Sequence, residues 1–194
     1  GTAFTAKIKE LAPATPIVIG GHIAASCDLL RDKTGVDYVC LGEGEDFSPE
    51  LIDKINKQES VKNVLGLAYK EGDIIIRSGP RPLAKEFPLI DYNLIDANKY
   101  LIHPGQDMFF NKSSEYSARA KKDDKLASIM FSGGFSGACG FCYRHLPGLR
   151  QPSIDWSWRH LMALYEKFGV RYFKIDDELF ISNPEWFKAF YQKV

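Results

Sequence analysis

Hydrophobic positions follow two alternating rhythms along this chain. Short, wholly apolar runs stopped by glycine alternate with stretches where apolar residues recur every three or four positions. Pro16-Ile17-Val18-Ile19 stops at Gly20-Gly21, and Asp37-Tyr38-Val39-Cys40-Leu41 stops at Gly42-Glu43-Gly44-Glu45. Runs of that length without polar alternation predict parallel strands buried on both faces. Phe4, Ile8 and Leu11 predict a helix ahead of the first run, closed by Pro13 and Pro16. Leu51, Ile52 and Ile55 predict another over residues 47–57. Residues 64–69 and 74–77 flank Lys70-Glu71-Gly72-Asp73, whose residue types tolerate positive φ, and so predict a β-hairpin.

From residue 79 to 125 the texture changes to Pro80, Pro82, Pro88 and Pro104 among scattered charges, which reads as a linker with a few short elements. Strand and helix then resume. Residues 126–131 predict a strand, and residues 156–168 a helix with Trp158, Leu161, Met162 and Tyr165 on one stripe. Ser153 or Asp155 suits its N-cap and Gly169 its end. Residues 171–175 predict the next strand, and Asn183-Pro184 opens a last helix with proline at the first helical position. The expected organisation is therefore α/β: residues 1–78, a linker over 79–125, and residues 126–194. In open α/β sheets ligands bind at the loops on the carboxyl ends of the strands, which is where the glycines of both halves fall.

Composition narrows the partners. Lys and Arg number 25 against 25 Asp and Glu, so no net charge draws the chain to nucleic acid or an anionic membrane. No apolar run approaches the ~18 residues of a membrane span. The 4 cysteines are too few for a disulfide scaffold: Cys27 and Cys40 lie inside apolar stretches, and only Cys139 and Cys142 are closely spaced. That usage suits a reducing cytoplasm with metal or redox chemistry. The opening Gly1-Thr2-Ala3-Phe4 has no basic, then apolar, leader pattern, and Lys193-Val194 falls inside a predicted helix. Both ends read as cut, and the expectation is a piece of a longer protein.

The densest chemistry lies in Phe131-Ser132-Gly133-Gly134-Phe135-Ser136-Gly137-Ala138-Cys139-Gly140-Phe141-Cys142-Tyr143-Arg144-His145. Two thiols three residues apart in a glycine-rich loop can converge on one centre. Three readings are open: half of a zinc site with His145, a redox dithiol, or part of an iron–sulfur site. Zinc lacks a second Cys or His pair, and a dithiol belongs at a helix start, whereas Pro147 and Gly148 follow here. Asp176-Asp177-Glu178, closing the strand predicted at 171–175, reads in isolation as an acidic turn or helix cap.

Taken together, these blocks resemble the cobalamin-binding radical S-adenosylmethionine enzymes. Cys139, Phe141 and Cys142 match the second cysteine, the aromatic and the third cysteine of that family's three-cysteine motif, and Tyr143-Arg144-His145 continues the likeness. Lys174-Ile175-Asp176-Asp177-Glu178-Leu179-Phe180 matches the turn that receives the amino group of S-adenosylmethionine. Ile17-Val18-Ile19-Gly20-Gly21-His22 and the 36–45 segment resemble the later strands of the Rossmann-like cobalamin domain, and Pro88-Leu89-Ile90-Asp91-Tyr92 the connection after it. The resemblance covers nearly the whole chain.

It implies the C-terminal part of a cobalamin domain followed by the first βα units of a partial TIM barrel. The cofactors implied are a four-iron, four-sulfur cluster on Cys139 and Cys142, S-adenosylmethionine at Phe141, Asp176, Asp177 and Glu178, and cobalamin at Gly20, Gly21, Gly42, Glu43, Gly44 and Glu45. The implied chemistry is reductive cleavage of S-adenosylmethionine and hydrogen abstraction from a small-molecule substrate, leading to methyl transfer or ring formation. The electron would come from a reductant such as flavodoxin or ferredoxin. Two positions depart from the family pattern: Phe135 stands where the first cluster cysteine belongs, and Gly133 where the motif has arginine. His22 does not sit in the family's cobalt-ligating D-x-H-x-x-G pattern. The departures predict a cluster-deficient chain, or an α/β binding module without catalysis.

Overall fold

The computed structural model describes residues 2–28, 34–84, 86–107, 115–135, 137 and 148–194. Two compact units emerge, one built on Gly1–Lys85 and one on Glu86–Ser136 with Gly148–Val194.

In the first unit, α1 (Thr2–Leu11) precedes β1 (Val18–Ile19), which lies parallel to β2 (Tyr38–Cys40). After α2 (Phe47–Asn56) the chain returns as a hairpin of β3 (Leu67–Glu71) and β4 (Ile74–Arg77), giving a four-stranded sheet in the order β1-β2-β3-β4. Period-two alternation sorts its residues between two cores. Val39 pairs with Ala68, and both are buried with Ile17, Ala24, Cys27 and Val36. Cys40 pairs with Leu67 and Tyr38 with Tyr69, facing Phe47, Leu51 and Val64 on the other side. Both faces are covered, as the unalternating apolar runs require. Asp37, just ahead of β2, accepts the Ile17 N–H at 2.8 Å and the Lys9 ammonium at 2.6 Å, tying β1 and the last turn of α1 to one carboxylate. The helix faces differ from the expected ones. Phe4 and Leu11 are 72% and 74% exposed, and α1 turns Thr5 and Ile8 inward instead. In α2 it is Phe47 and Leu51 that are buried, with Ile52 exposed.

In the second unit, single 3-10 turns at Tyr92–Leu94, Ala97–Tyr100 and Pro104–Gln106 and the short α3 (Glu115–Arg119) lead into β5 (Lys125–Ile129). Then come β6 (Gly133–Phe135), β7 (Gly148–Arg150), α4 (Ile154–Phe168), β8 (Val170–Ile175) and α5 (Pro184–Lys193). β5 and β8 are parallel, in register from Leu126 opposite Tyr172 to Ile129 opposite Ile175, with α4 as the crossover. Among the described residues this pair is the parallel part of the unit. β6 and β7 form a separate antiparallel ladder, which the apolar pattern does not predict.

The core of this unit is aromatic. Phe131, 1% exposed, lies 5.1 Å from the Phe190 ring, and Phe190 stacks on Trp186 at 5.2 Å. Phe87, Tyr92 and Leu101 from the proline-rich stretch pack against the same core. Helix ends follow the expected chemistry: Ser153 accepts the Trp156 N–H, Gly169 closes α4 at φ 70°, and Asn183 accepts from Glu185 and Trp186 with Pro184 at the first position. The buried face of α4, however, is Trp156, Ser157, His160, Leu161 and Leu164. The expected stripe of Trp158, Leu161, Met162 and Tyr165 shares only Leu161 with that face, and it lines an open apolar groove of about 400 Å³ beside Phe173 and Phe190. No helix among the described residues is long and apolar enough to cross a membrane.

His160 is 5% exposed, and its Nε2 meets the Tyr92 hydroxyl at 2.6 Å. Burial pushes its imidazole below the ordinary range, so the folded state holds it neutral. The stability this contributes is present above the ordinary imidazole pKa and is lost as pH falls through the lowered one.

Two outcomes follow for the second unit, which holds Trp156, Trp158 and Trp186 and so reports its own unfolding by fluorescence. Phe131→Ala should cost about 3–5 kcal/mol in urea unfolding, whereas Leu94→Ala, at an 82% exposed position, should change stability by no more than ~0.5 kcal/mol. The unit should also lose stability as pH falls below the ordinary imidazole pKa of about 6.5, and His160→Gln should flatten that dependence. An unchanged slope in the variant would remove His160 as its source.

Candidate functional site

Two sets of loops occupy the carboxyl ends of parallel strands, one in each unit. In the first unit Gly20-Gly21 follows β1 and the Gly42–Glu45 loop, residues 42–45, follows β2. Gly20 lies against the end of β2: a Cβ built on it would lie 3.5 Å from the Cys40 Cβ. Gly21 has φ 78°, a conformation L side chains rarely adopt, and a Cβ on Gly21 or Gly42 would meet no atom within 4 Å. Among the described residues, the strand ends thus present backbone that no side chain covers. Glu43 is committed elsewhere, because its Oε2 accepts the Ala84 N–H at 3.0 Å. Glu45 is exposed, and Gly44 starts the turn into α2 by accepting the Ser48 N–H at 2.8 Å. Under the loop, the Cys40 thiol lies 3.7 Å from the Gly42 carbonyl and 3.6 Å from that of Glu43. Burial pushes this thiol above its ordinary range, only partly offset by the Gly42 hydrogen bond and the Arg81 charge, so it is an inert core group.

In the second unit the β5–β8 ladder closes where the Asp176 N–H donates to the Ile129 carbonyl at 2.9 Å. The three acids that follow differ in their partners. Asp177 accepts the Phe131 N–H through both carboxylate oxygens, at 2.9 and 3.1 Å, and the Ser132 hydroxyl also donates to it. Asp176 pairs with Lys174 at 3.4 Å, and the same ammonium reaches Asp107 at 3.3 Å. Burial pulls the Lys174 pKa down, but its bonds to Asp107 and Asp176 outweigh that and hold it above the ordinary value, so the cation persists. Glu178 is exposed.

Beyond Ser132 the chain enters β6, whose residues Gly133, Gly134 and Phe135 pair with Arg150, Leu149 and Gly148 of β7. This two-stranded clasp brackets the segment that carries Cys139, Phe141, Cys142 and His145 in sequence, all of which lie outside the described residues. Gly134 is required at the clasp: at φ 83°, a Cβ there would sit 2.0 Å from the Gly148 carbonyl oxygen. Among the described residues no group of three His, Cys, Asp or Glu is placed to hold a metal. Sequence reasoning named the acidic turn and the glycine loops but missed Ser132, Lys174, Asp107 and the clasp. The signals available were Gly148 beyond the cysteines, mirroring Gly133-Gly134, and a lysine immediately before two aspartates.

No family model matches the sequence. Over 94% of its length the chain is 29% identical to an uncharacterized methyltransferase of Pyrococcus horikoshii, of which it spans 38%. It is 24% identical, over 98% of its length, to the anaerobic magnesium-protoporphyrin IX monomethyl ester cyclase of Synechocystis sp., spanning 35% of that protein. The chain therefore covers little more than a third of these curated relatives. Among solved structures it is similar to the radical S-adenosylmethionine methyltransferase TsrM from Kitasatospora setae with cobalamin and a four-iron, four-sulfur cluster bound. The TM-score is 0.67 at 18% identity, covering 99% of this chain and 35% of that one. It is similar also to the cobalamin-dependent S-adenosylmethionine radical enzyme OxsB with aqua-cobalamin and S-adenosylmethionine bound, with TM-score 0.66 and 17% identity over 96% of this chain and 24% of that one. The mixed α/β fold is that of these structures.

The clasp gives a direct expectation. Gly134→Ala should break the β6–β7 ladder and raise amide exchange at residues 133–135 and 148–150. Gly148→Ala meets no atom within 4 Å and should cost only the ~1–2 kcal/mol of a left-handed side chain. Equal effects of the two changes would show that the close approach at Gly134 is not what holds the ladder.

Proposed function

We infer that this chain, which shares the fold of cobalamin-dependent radical S-adenosylmethionine enzymes along nearly its whole length, is part of such an enzyme. It carries the later strands of a cobalamin-binding domain and the opening βα units of a radical domain. The observation that carries this reading is the placement of both sets of loops. The glycine loops after β1 and β2 and the acidic turn after β8 all leave the carboxyl ends of parallel strands, where α/β folds bind ligands.

On this reading Gly20, Gly21 and residues 42–45 face the nucleotide tail of cobalamin. The bare backbone at Gly21 and Gly42 fits that task, since no side chain of the described residues fills the space beside them. Cys139 and Cys142 are the thiolates for the cluster, and Phe141 with the 176–178 turn faces S-adenosylmethionine. The substrate is a small molecule, the electron donor a flavodoxin- or ferredoxin-like reductant, and the compartment the cytoplasm. Substrate methylation and ring formation are the two outcomes that the curated relatives' names suggest.

The donor set does not fit a cluster with one iron left open to S-adenosylmethionine. Three thiolates are needed, and the segment supplies Cys139 and Cys142, with Phe135 where the first cysteine belongs. A serine hydroxyl ionises far above neutral pH, so Ser132 and Ser136 do not make up the difference. We therefore derive no reaction step through the cluster. Phe135 favours a second reading, an α/β binding module that keeps the fold and has lost the radical chemistry.

Anaerobic reconstitution of the parent and of Phe135→Cys separates the two, with iron counted and deoxyadenosine measured under a strong reductant. The parent should retain iron well below cluster stoichiometry and form no deoxyadenosine. Phe135→Cys, in the full-length protein, should gain both iron and turnover. Deoxyadenosine from the parent would show that Phe135 is not the missing-ligand position, and no gain in the variant would favour the non-catalytic module.

A further inference from the structure

The three acids after β8 are adjacent in sequence yet hold different things, and that difference assigns them different tasks. We propose that Asp177 is a positioning residue that pins the entry of the cysteine-bearing loop, and that it is not the carboxylate that meets the amino group of S-adenosylmethionine. The proposal rests on the radical S-adenosylmethionine reading of the loop.

At the last rung of the parallel ladder Asp176 donates to Ile129, and β8 ends at Ile175, so no strand remains to receive the next inward-facing donor after β5, the Phe131 N–H. That donor belongs to a residue only 1% exposed, and a buried N–H without an acceptor is costly. The Asp177 carboxylate supplies the acceptor with both oxygens and takes the Ser132 hydroxyl as well. A side chain thus extends the ladder by one step after the backbone has left it.

The consequence runs forward along the chain. The Phe131 ring is held among Phe180, Trp186 and Phe190 at centroid distances of 5.1 to 6.0 Å. Its backbone and Ser132 are held by Asp177, and Gly133, Gly134 and Phe135 are held by β7. Every residue from 131 to 135 has a fixed anchor before the chain runs on to Cys139. A carboxylate that already accepts from a backbone amide and a hydroxyl has little capacity left for a ligand ammonium. Asp176 is balanced by Lys174, so among the described residues the exposed Glu178 is the carboxylate of this turn open to a cation.

The test uses the full chain with Asp177→Ala, Asp177→Asn and Glu178→Gln. Asparagine keeps an acceptor for Phe131 and a polar partner for Ser132 while removing the charge. Amide exchange at Phe131 should rise at least tenfold in Asp177→Ala and return close to the parent in Asp177→Asn. Anaerobic iron(II) uptake should follow the same order, a rescue that general destabilisation at this position would not give. S-adenosylmethionine affinity should survive Asp177→Asn and fall severalfold in Glu178→Gln. Unchanged Phe131 exchange in Asp177→Ala would overturn the proposal. So would normal exchange with S-adenosylmethionine affinity lost in Asp177→Asn, which would return the carboxylate to the ligand. If neither parent nor variants bind S-adenosylmethionine, the radical reading fails, while the exchange data still decide whether Asp177 pins the loop.

Discussion

Two strands that run parallel cannot be joined by a tight turn; the chain must cross back over the sheet before it can lay down the second strand. In this molecule that constraint acts twice, on β1 with β2 and on β5 with β8, and it forces the loops after both strands of a pair to leave from the same edge. Gly20-Gly21 and the 42–45 loop leave the same edge of the sheet in this way. Phe131-Ser132 and the 176–178 turn are brought into contact at theirs, although more than forty residues separate them in sequence. Neither juxtaposition depends on the loops themselves. Burial of apolar strand residues on both faces supplies the driving force, and the polar loops are carried to the edge by it.

The hydrogen-bond economy at those edges then decides which side chains are committed to structure. Where a ladder ends, the next backbone donors near the core need acceptors, and local carboxylates provide them. Asp37 serves Ile17 at the start of β1, Glu43 serves Ala84 after β4, and Asp177 serves Phe131 after β5. Three acids that look alike in sequence as exposed charges are therefore pieces of backbone completion. Glu45 and Glu178 remain exposed at the same edges.

Much of this was legible in the sequence, and what was missed has physical causes. The strands were readable because burial on both faces writes an unbroken apolar run, and the caps at Ser153, Gly169 and Asn183 were readable because their chemistry is local. The face of α4 was misassigned because the helix is apolar around more than half its circumference. Trp156, His160 and Leu164 compete with Trp158, Met162 and Tyr165, and the aromatic core selects between them through contacts distant in sequence. Likewise Phe4 and Leu11 obey helical spacing without being buried. The β6–β7 clasp left no apolar trace at all, since Gly-Gly-Phe against Gly-Leu-Arg is held by backbone hydrogen bonds. The division of labour among Asp176, Asp177 and Glu178 depends on where Phe131 and Lys174 end up, which no local pattern encodes.

The clasp also bears on how a chain can keep this fold while altering its chemistry. Phe135 is the last residue of β6, where its backbone pairs with Gly148 next to the bare Cα of Gly134. A ladder of backbone bonds accepts cysteine or phenylalanine at that position with little difference in intrinsic cost, because strand propensities span only ~1 kcal/mol. The glycines are constrained by close approach and, at Gly134 and Gly148, by positive φ. An exchange of cysteine for phenylalanine at residue 135 would therefore leave the backbone ladder that frames this segment unchanged.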